Sequence, residues 1–169
     1  MNRRINGVRI MLVIGLALVP AASSAADDVI RHPIPGSDFP ISAAVEIPAG
    51  KSLVFLSGMV PPVADKDAPK GSVASYGDTQ AQTVAVLKRI EGQLGRLKLG
   101  MGDVAKMQVF LVGDPDNDGK LDFAGFMKGY TQFFGTKDQP KLPVRSAFQI
   151  AALAGPGMLV EIEVTAVRP

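Results

Sequence analysis

An α/β (α+β) fold of order ββαβαββ is expected, one sheet with two helices on one face, and three features of the sequence predict it. Between residues 79 and 97 the apolar residues recur at steps of three and four, the signature of a helix with one buried stripe. Residues 144–151 and 159–167 alternate with period two, as strands do. The chain has 169 residues, 47% hydrophobic and 20% charged, enough for one domain with a real core and short for two.

Taken in order, Asp27 to Pro40 holds three prolines and a glycine and reads as an extended lead-in. Ile41 to Ile47 and Ser52 to Ser57 flank Pro48-Ala49-Gly50-Lys51 and predict a β-hairpin. Gly58 to Tyr76 is a long loop rich in Pro, Gly, Asp and Lys. Thr79-Gln80-Ala81-Gln82 has the form of a capping box. It opens a helix whose stripe is Val84, Leu87, Ile90, Leu94 and Leu97, ending at Leu99-Gly100-Met101-Gly102. Gly92, Gly95 and Gly100 lack the Lys and Ser/Thr of a phosphate loop and read as close helix packing or a frayed end.

Val104 to Val112 is a β-branched, apolar strand, and Gly113 to Asp122 a polar loop. Phe123 to Phe134 reads as a second helix with Phe123, Phe126, Met127, Tyr130, Phe133 and Phe134 on its apolar side. In the next strand Val144, Ser146, Phe148 and Ile150 are expected to face the helices, leaving Arg145, Ala147 and Gln149 on the other face. In the last strand Val160, Ile162, Val164 and Ala166 face the helices, and Glu161, Glu163 and Thr165 the other way. That mixed polar face is suited to a subunit interface. A hairpin turn at Ala154 to Gly157 would set Arg145 opposite residue 166, with Glu161 about 16 Å away on the same face at ~3.3 Å per residue.

The first residues are expected to be removed. Arg3, Arg4 and Arg9 precede the apolar run Ile10 to Val19, and small residues follow to Ala26, the three-part layout of a secretory signal. The expected organisation is a signal at residues 1–25, a lead-in at 26–41 and one domain at 42–169, in a periplasmic or secreted protein. The whole chain carries +2; without those three arginines 15 basic residues face 16 acidic ones, a net of −1. A near-neutral domain offers no electrostatic case for nucleic acid, nor for a membrane once the signal is cleaved. With no cysteine, thiol catalysis and Cys-based zinc sites are excluded. The one histidine, His32, reads as an exposed residue of the lead-in.

Asp114-Pro115-Asp116-Asn117-Asp118-Gly119 matches the start of an EF-hand loop, making Asp114, Asp116 and Asp118 a weak calcium candidate. The twelfth position, which should be a bidentate carboxylate, is Gly125, so a solvated turn is the expectation. Arg145 offers a planar donor fork for a carboxylate, or alternatively a surface ion pair. Glu161 is either a solvated strand residue or, in a partly dry interface, a group that positions water and moves protons.

These residues carry a resemblance to the RidA (YjgF) family of enamine/imine deaminases over about residues 42–169. It rests on Leu56-Ser57-Gly58 with Pro61, Ala81-Gln82 and Leu87, Gly102-Asp103-Val104, Lys106 and Val109-Phe110. It continues through Tyr130, Phe133-Phe134, Pro143-Val144-Arg145-Ser146 and Val160-Glu161-Ile162-Glu163-Val164. The resemblance implies a chorismate-mutase-like fold, a homotrimer with sheets packed inward, and sites in the clefts between subunits. It implies cofactor-free hydrolysis of small enamines or imines, of the 2-aminoacrylate/2-iminopropanoate type, to 2-keto acids and ammonia. Arg145 would bind the substrate carboxylate and Glu161 the attacking water, with Ser57, Gly58, Ala147 and Tyr130 lining the pocket. The family's usual cysteine falls at Ala147, its frequent tyrosine at Ala43 or Ala44 and its frequent asparagine at Met127, so the clamp is kept while polar pocket residues are not. The alternatives are a non-catalytic binder of small carboxylates and a holdase-like surface. Ribonuclease activity, also ascribed to the family, has little support in a near-neutral domain.

Overall fold

A computed structural model of the protein describes residues 28–169; the expected signal lies outside them. Six strands and two helices follow one another: β1 (Ile30–Pro33), β2 (Ser42–Glu46), β3 (Leu53–Met59), α1 (Thr79–Arg96), β4 (Val104–Val112), α2 (Phe123–Tyr130), β5 (Val144–Ile150) and β6 (Val160–Val167). Four of the strands form one sheet in the order β3-β6-β4-β5, and β1 and β2 form a separate antiparallel pair. The expected mixed α+β class with two helices holds, with one additional strand drawn from the lead-in.

The sheet order departs from the two hairpins expected. β2 pairs with β1 instead of β3. Arg31 fixes that arrangement by donating to the carbonyls of Gly102, Val104 and Leu142, while Ser42 donates its amide to Pro143 and its hydroxyl to Leu142. At the other end β5 does not meet β6, because β4 lies between them, antiparallel to β6 and parallel to β5. The unit β4-α2-β5 is a crossover, and a crossover brings its two strands together side by side.

One face of the sheet builds the core. Met107, Val109 and Leu111 of β4 meet Val164, Ile162 and Val160 of β6, and all six are buried. Val86, Leu87, Ile90 and Leu94 of α1 cover them with no exposure, each large apolar side chain contributing roughly 1.5–3 kcal/mol on burial. The real stripe of α1 is rotated from the expected one: Val86 is buried, and Val84 and Leu97 are only partly so.

The start of α1 also differs. Asp78, not Thr79, is the N-cap, accepting from the amide of Ala81 at 2.7 Å. That frees Gln82 for a buried post: it donates to the carbonyls of Gly77 and Gly157 and accepts from the amide of Leu159 at 2.7 Å. Helix α2 stops at Tyr130 rather than Phe134, and a short turn carries Phe134 into the core. The close-packing glycine is Gly129, where a β-carbon would press on Thr83 of α1; Gly92, Gly95 and Gly100 have open space around them.

Candidate active site

The register decides which face each candidate occupies. Arg145 is paired with Met107, and Ala147 with Val109, so both lie on the helix side of the sheet. This corrects the expectation: Ser146 and Phe148 point away from the helices, beside Gln108 and Phe110. The outward face also holds Glu161 and Glu163, level with Phe110 and Gln108. Arg145 and Glu161 of one chain are therefore on opposite faces, two strands and three residues apart, about 14 Å by strand geometry.

On its side of the sheet the Arg145 guanidinium sits in a ring of aromatics. Its central carbon is 4.3 Å from the centroid of Tyr130, 4.9 Å from Phe126, 5.5 Å from Phe39 and 5.8 Å from Phe123. Phe123, Phe126 and Tyr130 share one side of α2 at helical spacing, and Phe39 stacks on Phe123 at 6.5 Å from the lead-in. One terminal nitrogen donates to the Sδ of Met127 at 3.3 Å; the other, Nη1, is buried without a partner. No carboxylate pairs with this guanidinium; among the described residues the one ion pair is His32 with Glu46, at the exposed surface. Burial lowers the Arg145 pKa from its ordinary value, but a guanidinium remains a cation at neutral pH.

Tyr130 is fully buried and donates its hydroxyl to the Pro40 carbonyl at 2.8 Å. Burial pushes its pKa up to about 12, against the opposing pull of Arg145. Between pH 10 and 12 the unfolded chain has then released a proton that the folded one keeps, so stability falls as pH rises through that window. Tyr130→Phe is expected to flatten this alkaline loss, read as the unfolding midpoint measured at steps from pH 9 to 12 in the two proteins.

The second group lies at the far edge, on β3 and β6. The ladder is interrupted between Leu56 and Met59, and Ser57 and Gly58 occupy the interruption. A β-carbon at Gly58 would collide with the Glu161 carboxylate, so the missing side chain is what seats that carboxylate there. At the same strand edge, between β3 and α1, opens a cavity of about 390 Å³ flanked by Ser57, Gly58, Met59, Arg89 and Gln93; Glu161 does not line it. The structure thus joins Arg145 with Tyr130 and Ala147 at one edge, and Glu161 with Ser57 and Gly58 at the other. Phe39 escaped the sequence reading because nothing local to it signals a contact with β5; the aromatic spacing of α2 was visible but read only as core.

The acidic loop is a turn. Asp114 accepts from the amide of Asp116, its own amide bonds the Lys120 carbonyl, and Asn117 donates to the carbonyls of Lys120 and Leu121. Among the described residues no three acidic or histidine side chains converge as a metal site.

Fold and site together define a class: two helices over a four-stranded mixed sheet, with an arginine held unpaired at one edge and a glycine-seated carboxylate at the other. The chain belongs to the RidA (YjgF) family; the family model described as Endoribonuclease L-PSP matches residues 36–168. Among solved structures it is similar to Escherichia coli TdcF with bound serine, at 30% identity and a TM-score of 0.54 over 83% of this chain and 98% of that one. It is similar to Rv2704 of Mycobacterium tuberculosis, a YjgF/YER057c/UK114 family member, at 28% identity and a TM-score of 0.52 over 83% and 100%. Yersinia pestis YyfB, of the Rid family, shares the fold at 24% identity and a TM-score of 0.59, over 83% of this chain and 98% of that one. No sequence match to a curated protein is found.

Proposed function

We propose that the protein hydrolyses small 2-imino acids, or the enamines that tautomerise to them, to 2-keto acids and ammonia, in sites shared between neighbouring chains of a homotrimer. The observation that carries this reading is Arg145: a half-buried cation with one buried, unpartnered nitrogen and, among the described residues, no anion beside it. Such a group costs stability unless something pairs with it, and a small carboxylate is the planar partner a guanidinium fits best.

In the proposed reaction Arg145 holds the substrate carboxylate and Glu161 of a neighbouring chain takes a proton from water as its oxygen adds to the imine carbon. With the imine nitrogen protonated at the outset, the resulting neutral carbinolamine collapses: Glu161 returns its proton to the nitrogen, the carbon–nitrogen bond breaks, ammonia leaves, and the hydroxyl gives its proton to Glu161 as the carbon becomes the ketone. The placement of Arg145 and Glu161 on opposite faces, two strands apart, supports a site made by two chains. The exposed outward side chains Phe55, at 71% exposure, and Phe148, at 47%, support a contact between sheets. Export by the N-terminal signal would place the enzyme in the periplasm or outside the cell. A second reading, a binder of small carboxylates without catalysis, is favoured by the apolar setting of Arg145, where Met127 supplies a thioether and Ala147 only a methyl.

The test generates 2-aminoacrylate in situ and follows keto-acid release. Wild type is expected to accelerate release, with Arg145→Ala and Glu161→Gln each losing 100-fold or more, in line with roughly 10²–10⁴ for a positioned proton-transfer group. No acceleration by wild type, with Arg145-dependent binding of pyruvate retained, selects the binder; neither result defeats both readings.

A further inference from the structure

We infer that Phe39 is a built-in plug, its ring occupying the seat above Arg145 that the flat, bulky apolar side chain of the natural 2-keto or 2-imino acid takes when it binds. The inference rests on the carboxylate-clamp reading and goes on to name the side chain of the ligand.

The segment carrying Phe39 is held at its ends and loose between. Before it, Arg31 anchors β1 through three backbone carbonyls. After it, Tyr130 holds the Pro40 carbonyl, and Ser42 is bonded to residues 142 and 143. From Ile34 to Phe39 two hydrogen bonds stay inside the segment, the Ser37 amide to Ile34 and the Phe39 amide to the Ser37 hydroxyl, and one leaves it, from the Ile41 amide to the Phe39 carbonyl at the hinge end. Gly36, at φ +69°, makes the turn that brings Phe39 back over β5. Phe39 is 39% exposed, whereas Phe126 and Tyr130, on the inner side of the same guanidinium, are fully buried. Of the four rings around Arg145, Phe39 is thus the one on a segment that can lift without opening the core.

The walls say what could replace it. Once Phe39 lifts, Arg145 is bordered by Phe123, Phe126, Tyr130 and Met127, where the one hydroxyl, that of Tyr130, donates to the Pro40 carbonyl and turns its oxygen to the guanidinium. Arg145 also borders a separate cavity of about 290 Å³ whose lining is mixed, Ile34, Ile41 and Val144 beside Ser42, Lys106 and Ser146, so the apolar seat is the one under Phe39. Against the rings of Phe123 and Phe126, a polar side chain would lose its water with nothing in return. A methyl would leave Phe123 uncovered, whereas a ring restores the stack that Phe39 gave up.

Titration calorimetry of the full protein with pyruvate and with phenylpyruvate tests this, with limited digestion by the Asp-specific protease Asp-N as a second readout. Phenylpyruvate is expected to bind wild type at least tenfold more tightly than pyruvate. Phe39→Ala, which removes the plug, is expected to tighten phenylpyruvate binding threefold or more, and Phe39→Leu, with no ring to stack, to act in the same direction if the alanine variant folds poorly. Phenylpyruvate is also expected to hasten cleavage of wild type at the Ser37–Asp38 bond, as the segment lifts. Equal binding of the two acids, or weaker or unchanged phenylpyruvate binding in Phe39→Ala, overturns the plug while Arg145-dependent pyruvate binding leaves the clamp standing. Loss of Arg145 dependence for both acids overturns the clamp itself.

Discussion

Arg145→Met is expected to abolish binding of 2-keto acids and, at the same time, to raise the unfolding temperature. The two effects have one cause. In the folded chain the guanidinium is largely enclosed, one of its nitrogens is buried without a partner, and no carboxylate neutralises it. Leaving a charged donor unmet costs more than the roughly 1–3 kcal/mol of a neutral one. Against that stand the attractions of the cation to the surrounding rings, worth about 0.5–2 kcal/mol. A methionine at position 145 keeps part of this through sulfur–aromatic contacts of ~0.3–1.5 kcal/mol and removes the desolvated charge. The net gain is about 1–2 kcal/mol, or roughly 3–7 °C for a domain of this size. Thermal melts at one protein concentration, paired with calorimetry, read both effects. A variant that melts below wild type by several degrees would show that the cation stabilises the fold, and its unpaired state would then need no ligand to explain it.

How much of this was legible in the sequence follows the strength of each local signal. Helix α1 and strands β4 and β6 were readable because their burial is one-sided and their periods run long enough to be unmistakable: β6 alternates buried and half-buried residues over seven positions. Arg145, Glu161, Ser57 and Gly58 were readable as residue types. What was not readable is which way β5 faces. It carries Val144, Ser146, Phe148 and Ile150 on one side and Arg145, Ala147 and Gln149 on the other. Apolar alternation points the first set toward the core, and the structure points it away. The signal misled because Phe148 is an apolar residue on the outward sheet face and Arg145 is a charged one under the helices, where aromatic rings receive it. The pairing of β5 was misjudged for a related reason: adjacency favoured a hairpin with β6, whereas the helix between β4 and β5 already required those two to lie side by side. Asp78 displaced the expected Thr79 cap because an aspartate one residue earlier does the same work and leaves Gln82 to bind the 157–159 turn.

The second large effect concerns the two half-sites. On opposite faces of one sheet and two strands apart, Arg145 and Glu161 of the same chain cannot both reach one three-carbon acid. In the proposed trimer each chain would give its arginine to one neighbour's site and its glutamate to another's. Arg145→Ala and Glu161→Gln should each be inactive alone, for different reasons. Each variant retains the half that the other lacks.

Mixing them is the most direct measurement. Denatured together in equal amounts and refolded, the two variants should assemble at random into rings in which a site is intact whenever a chain retaining Arg145 meets one retaining Glu161 in the right order. That occurs at about one site in four, so keto-acid release should return to roughly a quarter of the wild-type rate. Mixed assemblies verified by native mass spectrometry yet as inactive as either parent, or a wild-type chain fully active as a monomer, would contradict a site built from two chains.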